Sequence, residues 1–187
     1  MTSPAKEAVK ASFLRLLEER PLREITVKDI VQHCGVNRNT FYYHFKDIPS
    51  LLEELVMDEA DRIIAAQGPA ASLADCLETA ARFAQEHRQA VLHISQSAHR
   101  DLFERGLLDV CRRVVEDYAA AAIGSVPIPP PDRAVIIRFY QCECFGQIMA
   151  WLNDGMRYDV GQQFRRLCYL GEGMTERMLR RAMEAEA

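Results

Sequence analysis

Apolar side chains return every three to four residues along almost the whole chain, and that period restricts the fold to packed helices. Val9, Phe13, Leu16 and Leu17 make one such stripe; Leu51, Leu52, Leu55, Val56 and Ile63 make another. No segment alternates apolar and polar residues between turn formers as a half-buried strand does. The expected class is all-α, with about nine helices. A length of 187 residues allows one domain or two small ones. A chain of that size buries roughly 70% of its unfolded surface, so a core forms without staples. Apolar residues at 49% and charged residues at 27% argue against a wholly disordered chain. No stretch approaches about 18 consecutive apolar residues, so neither a membrane span nor a membrane partner is expected. The start, Met1-Thr2-Ser3-Pro4-Ala5-Lys6-Glu7, has no apolar run behind a basic one. A secretory leader is therefore not expected, and the chain reads as cytoplasmic.

Turn formers divide this pattern into segments. Ser3-Pro4 offers an N-cap and a first-turn proline to a helix that ends before Pro21. Thr26-x-x-Asp29 resembles a capping box, with Ile30 and Val31 facing inward and Gly35 as the stop. Asn37 caps a short third helix from Arg38 to about Tyr43, and Asp47 or a neighbour opens a long fourth that stops at Gly68-Pro69. Further helices are expected near 72–86, 88–98, 101–122, 132–154 and 159–184. A loop falls over Gly124 to Pro131, where Pro127, Pro129, Pro130 and Pro131 crowd together. Gly171-Glu172-Gly173 reads as an interruption in a helix and not as a phosphate cradle. The expected division is a small domain over 1–46 and a larger helical one over 47–187, linked by the helix over 47–67.

Net charge is −4, which alone does not point to nucleic acid. Its distribution says more. Residues 1–57 are neutral overall, and all four lysines, Lys6, Lys10, Lys28 and Lys46, lie within the first 46 positions. An N-terminal region can then present a local positive face while the remainder stays acidic, and local field governs contact with phosphate. Of the six cysteines (Cys34, Cys76, Cys111, Cys142, Cys144, Cys168), none forms a C-x-x-C pair, and no histidine completes a metal-finger spacing. Free buried thiols are the expectation, with no metal and no cofactor.

The most informative stretch is Thr26 to Asp47. Two short helices joined by Gly35-Val36-Asn37 form a helix-turn-helix. Gly35 supplies the left-handed backbone, Val36 plugs the angle, and Phe41 and Phe45, four apart, pack on the first helix. Arg38, Asn39, Thr40, Tyr42, Tyr43 and His44 remain on the other faces. These residue types reach base edges and phosphates, and a short helix carrying them fits a major groove about 12 Å wide.

Here the chain resembles the TetR family of bacterial transcriptional regulators. Thr26, Ile30, Gly35, Val36, Thr40, Tyr42, His44-Phe45, Lys46 and Leu51-Leu52 stand at the family's places, and the match spans residues 9–56. Val31 and Cys34 replace the usual alanines and stay small and apolar. Asn37 replaces the usual Ser as an equally good N-cap. Asn39 stands where a small residue is frequent, and it either bonds adenine or faces water. The resemblance implies double-stranded DNA as partner. Thr26 and Lys28 would hold phosphate, Arg38, Asn39, Thr40 and Tyr43 would enter the groove, and Tyr42, His44 and Lys46 would flank it. Packing against the fourth helix is the alternative for Tyr43 and His44. Solvated side chains are the expectation for Lys6 and Lys10, with a contribution of positive field from the first helix as the alternative.

The resemblance also implies a homodimer and an unidentified small-molecule effector bound by the C-terminal domain. Phe139 to Met156 is similar to a penultimate helix that pairs with its symmetry mate, which puts Phe145, Gly146, Met149, Trp151, Leu152 and Met156 at a dimer interface, with ordinary intrachain core as the alternative. Polar groups among apolar ones at Cys76, His87, His93, Cys111, Tyr118, Tyr140 and Cys144 are candidates for an effector cavity or for satisfied core positions. The Phe41 to Ile48 run is similar to regulators of dihydroxyacetone kinase operons, some of which bind another protein.

The expected function is a dimeric bacterial regulator associated with the nucleoid, a repressor released from a palindromic operator by its effector. A coactivator acting through protein contacts is the alternative, and thiol sensing through Cys142, Cys144 or Cys111 is a variant. No phosphate loop, Ser-His-Asp order or histidine-carboxylate cluster suggests an enzyme.

Overall fold

The computed structural model describes residues 3–66 and 73–184. Pro4 occupies the first turn of α1 (Pro4–Glu19), where its missing N–H is not needed, although the Ser3 side chain makes no capping bond. A 3-10 turn at Leu22–Glu24 follows. Thr26 opens α2 (Val27–Cys34) with a complete capping box, and Gly35 closes it at φ +72°. Asn37 caps α3 (Arg38–His44) by accepting from the Thr40 N–H. Asp47 and Ser50 exchange bonds at the head of α4 (Ile48–Ala66): the Asp47 carboxylate accepts from the Ser50 N–H, and the Ser50 hydroxyl accepts from the Asp47 N–H. The expected stop at Gly68-Pro69 lies outside the described residues.

Six helices follow: α5 (Leu73–Glu86), α6 (Arg88–Ser95), α7 (Arg100–Ile123), α8 (Pro130–Asn153), α9 (Val160–Leu170) and α10 (Met174–Glu184). Among the described residues there are thus ten α-helices and no strand. The segment expected as one helix over 159–184 is two, because Gly171 and Gly173 break it and Gly173 sits at φ +77°. α8 starts earlier than expected, since Pro130 and Pro131 fit a first turn that needs no N–H donors. Arg133 reaches back from that turn and donates to the Ile123 and Val126 carbonyls, satisfying the end of α7.

Two compact units result. The first joins Met1–Asp61 to Phe83–Leu107, and the second joins Arg62–Arg82 to Leu108–Ala187. In the first, Val9, Phe13, Leu16 and Leu17 of α1 meet Ile30, Val31, Phe41, Phe45, Leu51, Leu52 and Leu55 in one core, closed by Ala90 and Ile94 of α6. α6 is also fixed to α1 by polar contacts: His93 Nδ1 lies 2.7 Å from the Leu17 carbonyl, and His87 Nδ1 lies 2.5 Å from Glu18. The second unit has a core of Ala119, Ile123, Ile128, Ile136, Leu179 and Ala182. There α9 packs on α8. No helix of the described residues is long and apolar enough to cross a membrane.

Candidate nucleic-acid interface

The α2–turn–α3 unit is fixed from beneath. Phe41 is fully buried and Phe45 nearly so, in the core shared with α1. Val36, between the helices, packs against the same core. Gly35 and Val36 both direct their N–H groups to the Val31 carbonyl, which sets the turn. With Phe41 inward, α3 leaves Arg38, Asn39, Tyr42 and Tyr43 exposed and Thr40 and His44 half-buried. Tyr43 is 84% exposed, so it does not pack on α4. Its ring meets His44 edge-on at 4.9 Å. Lys28 and Lys46 are exposed at the start of α2 and just past α3.

Two hydroxyls of this surface already have tasks. Thr26 Oγ1 donates to Asp29 at 2.6 Å, and Thr40 Oγ1 donates to Asn37 at 3.0 Å. Each proton is used inside a cap, and the Thr26 oxygen also accepts from the Asp29 N–H, so neither hydroxyl has a proton to offer a phosphate. The Thr26 hydroxyl and N–H hold the Asp29 carboxyl below the usual carboxylate range, with Arg20 adding to the effect. The negative charge completes the cap and sits next to the cation of Arg20 at 3.5 Å.

Lys6 and Lys10 are not free solvated lysines: both are paired with α4, Lys6 half-buried and Lys10 buried. Lys10 is 3% exposed, and its ammonium lies 2.6 Å from Glu54 and against Asp58 on α4. Lys6 pairs with Glu54 at 2.7 Å and lies over the Phe45 ring. Two of the four lysines thus bind α1 to α4. The signal was available: Lys6 and Lys10 are four apart, as are Glu54 and Asp58, so complementary pairs line two helix faces. The other two lysines, Lys28 and Lys46, are exposed on α2 and just past α3.

The effector candidates separate. His87 and His93 belong to the first unit and are used in holding α6 on α1. Cys76, Cys111, Tyr118, Tyr140 and Cys144 belong to the second. Cys111 and Cys144 are buried there, Cys76 is half-buried, and Tyr118 is partly exposed. Tyr140 Oη lies 2.5 Å from the Thr175 hydroxyl. Burial pushes the Cys111 thiol up to about 12 and raises that of Cys144 further, the opposite of what a thiol sensor needs.

The residues expected at a dimer interface also divide. Met149, Trp151, Leu152 and Met156 lie inside the chain, Trp151 at 1% exposure with its indole N–H on the Tyr158 carbonyl at 2.8 Å. Their apolar area is used within the subunit. Phe145 is half-buried, and Gly146 is exposed. The face of α8 that does reach the surface carries Val135, Phe139, Cys142, Gly146 and Ala150, at spacings of three and four. Val135 is 67% exposed and Phe139 40%.

A caged helix-turn-helix with a polar, basic outer face on an all-helical chain defines the class of helix-turn-helix transcriptional regulators. Residues 13–55 match the bacterial regulatory proteins of the tetR family, and residues 72–173 match a transcriptional regulator C-terminal region. The chain belongs to the TetR family of transcriptional regulators. It is 27% identical over 163 residues to YxbF, an uncharacterized HTH-type transcriptional regulator of Bacillus subtilis strain 168, a match that covers 82% of this chain and 41% of YxbF. It is 39% identical over 57 residues to the HTH-type transcriptional regulator EthR of Mycobacterium tuberculosis, covering 29% of this chain and 26% of EthR. The chain therefore spans less than half the length of the curated relatives it matches. Among solved structures, the dihydroxyacetone kinase operon activator DhaS superposes with a TM-score of 0.73 at 15% identity, covering 96% of this chain and 97% of DhaS, which shows a shared fold.

Proposed function

We propose that the protein is a homodimeric DNA-binding regulator, a repressor released from a palindromic operator by a small-molecule effector. The observation that carries this reading is the exposed row Arg38, Asn39 and Tyr43 on α3, opposite the buried Phe41. In this reading residues 1–46 are the DNA-binding region and residues 47–187 bind effector and partner subunit. Arg38, Asn39, Tyr43 and the acceptor side of Thr40 enter the major groove. Tyr42, His44 and Lys46 flank it, and Lys28 with the α2 N-terminus around Thr26 holds phosphate. The second subunit is met through Gly146 and the exposed α8 stripe. A Cβ placed on Gly146 would touch nothing within 4 Å, so the chain itself makes no use of its small size. The effector is assigned to the second unit, near Cys76, Cys111, Tyr118, Tyr140 and Cys144. An effector that prefers one arrangement of the two subunits shifts the population away from the DNA-competent state. The protein acts in the bacterial cytoplasm, on the nucleoid.

Enrichment of duplexes from a random pool by the purified protein tests the reading. Two inverted half-sites, centred about 34–36 Å apart or a multiple of that, are expected. Failure to enrich any sequence, with the folded dimer intact, would overturn it.

A further inference from the structure

Arg38 is the first residue of α3, the position from which a recognition helix points most directly at base edges. Its guanidinium is not loose. Arg38 Nη2 donates to Tyr42 Oη at 3.3 Å, and Cζ lies 5.6 Å from the centre of the Tyr42 ring. The ring in turn meets Phe41 edge-on, with centroids 5.4 Å apart and planes at 86°. Phe41 has no exposed surface and belongs to the core of the unit. A continuous series of contacts therefore runs from the core through Phe41 and Tyr42 to the charged head of Arg38. One turn of helix separates Arg38 from Tyr42, the spacing at which two side chains meet.

The hydrogen-bond inventory fits a reading role. A guanidinium has five N–H donors, and the tyrosine oxygen takes one. A pair of parallel donors remains for the O6 and N7 acceptors of guanine, the base edge that arginine matches bidentately. The Tyr42 hydroxyl accepts in this arrangement, so its own proton stays available to a phosphate oxygen. Long charged side chains lose rotamer freedom when they bind, and a head already held in place loses less.

We propose that Tyr42 is the positioning residue for Arg38, holding the guanidinium so that it reads a guanine in the major groove. This rests on the DNA-binding reading above and adds the base class and the residue that sets it.

A double-mutant cycle on the duplex enriched by the wild-type protein tests it, with every single base-pair change measured for each variant. Arg38→Ala should weaken binding about 10- to 100-fold and abolish the preference for G·C at one pair of each half-site. Tyr42→Phe keeps the ring and the fold but removes the hydroxyl. It should weaken binding about threefold to tenfold and reduce the preference at that same pair. In the Arg38→Ala background, Tyr42→Phe should cost less than twofold, because the group it positions is gone. Equal losses from Tyr42→Phe in both backgrounds, with base preference unchanged, would reduce Tyr42 to a phosphate contact and overturn the proposal. So would a pair read by Arg38 that is not G·C. A wild-type protein that enriches no duplex would instead overturn the DNA-binding reading itself, and the proposal with it.

Discussion

A lysine with almost no exposed surface is stable only where carboxylates replace its water. Lys10 has that replacement in Glu54, Asp58 and, at 3.5 Å, Glu7. Burial lowers the Lys10 pKa, but the bonds to Asp58 and Glu54 outweigh it, and the net direction is upward from 10.5. Burial likewise raises Glu54, and Lys10 and Lys6 outweigh that, so its pKa falls below 4.5. A lysine raised on folding stabilises the fold below its unfolded pKa, and that contribution disappears as pH rises through the folded value. A depressed carboxylate stabilises above its unfolded pKa and loses the contribution as pH falls through the folded one. The cluster therefore contributes fully between about pH 5 and pH 10 and fades on both sides. Lys10→Met should destabilise the protein by about 2 kcal/mol near neutral pH, less than a wholly buried pair would lose, since both carboxylates are a third exposed and can rehydrate. Urea melts of wild type and variant across pH check this. The difference should shrink below pH 4.5, and a difference that stays constant with pH would assign the loss to packing alone. The i, i+4 spacings of Lys6 with Lys10 and of Glu54 with Asp58 offered the pairing, but that α4 lies opposite α1 and buries Lys10 is settled only in three dimensions.

At the scale of elements, local chemistry was enough to place most helices. The Thr26–Asp29 box, Gly35 in the left-handed region and the Asn37 cap appear where the sequence puts them, since each is a contact between residues three or four apart. The Gly171–Gly173 break was visible as well, though not its consequence that two helices, α9 and α10, replace one. The hydrophobic face of α8 was harder. Trp151, Leu152 and Met156 are the large apolar residues a dimer interface favours, yet Gly155 at φ +69° and Met156 at φ +58° turn the chain so that Trp151 and Met156 close the subunit's own interior. Composition cannot separate the two uses, because intrachain core and interface draw on the same side chains. The stripe of Val135, Phe139, Cys142, Gly146 and Ala150 is the part of α8 that stays exposed and that the proposed dimer would use. Gly146→Leu tests that use without disturbing the subunit, because an added side chain starts in open space. A helix interior gains about 0.5–1 kcal/mol when glycine is replaced. Thermal stability at low protein concentration should therefore hold or rise, while the dimer dissociation constant from sedimentation increases at least about tenfold. An unchanged dissociation constant would place the interface elsewhere.

For the whole molecule, a net charge of −4 hides a division of labour among the cations. Lys6 and Lys10 are neutralised by α4, whereas Lys28 of α2, Arg38 of α3 and Lys46 just past α3 are exposed. An acidic protein can bind DNA if enough outward cations share one face, and such binding must then depend strongly on salt. The candidate site residues were legible as a group only as what the family resemblance implies. Their separate roles were not, since the use of the Thr26 and Thr40 protons and the tether between Tyr42 and Arg38 exist only in three dimensions. The most direct test of the central claim is fluorescence anisotropy with the DNA upstream of the protein's own gene, titrated from low to physiological salt. The logarithm of affinity should fall against the logarithm of salt with a slope of about −4 or steeper, as expected if Lys28 and Lys46 of two subunits each meet a phosphate. Lys46→Gln should make that slope shallower by about 2, one for each subunit. An affinity that ignores salt, or a slope that Lys46→Gln leaves unchanged, would contradict the account.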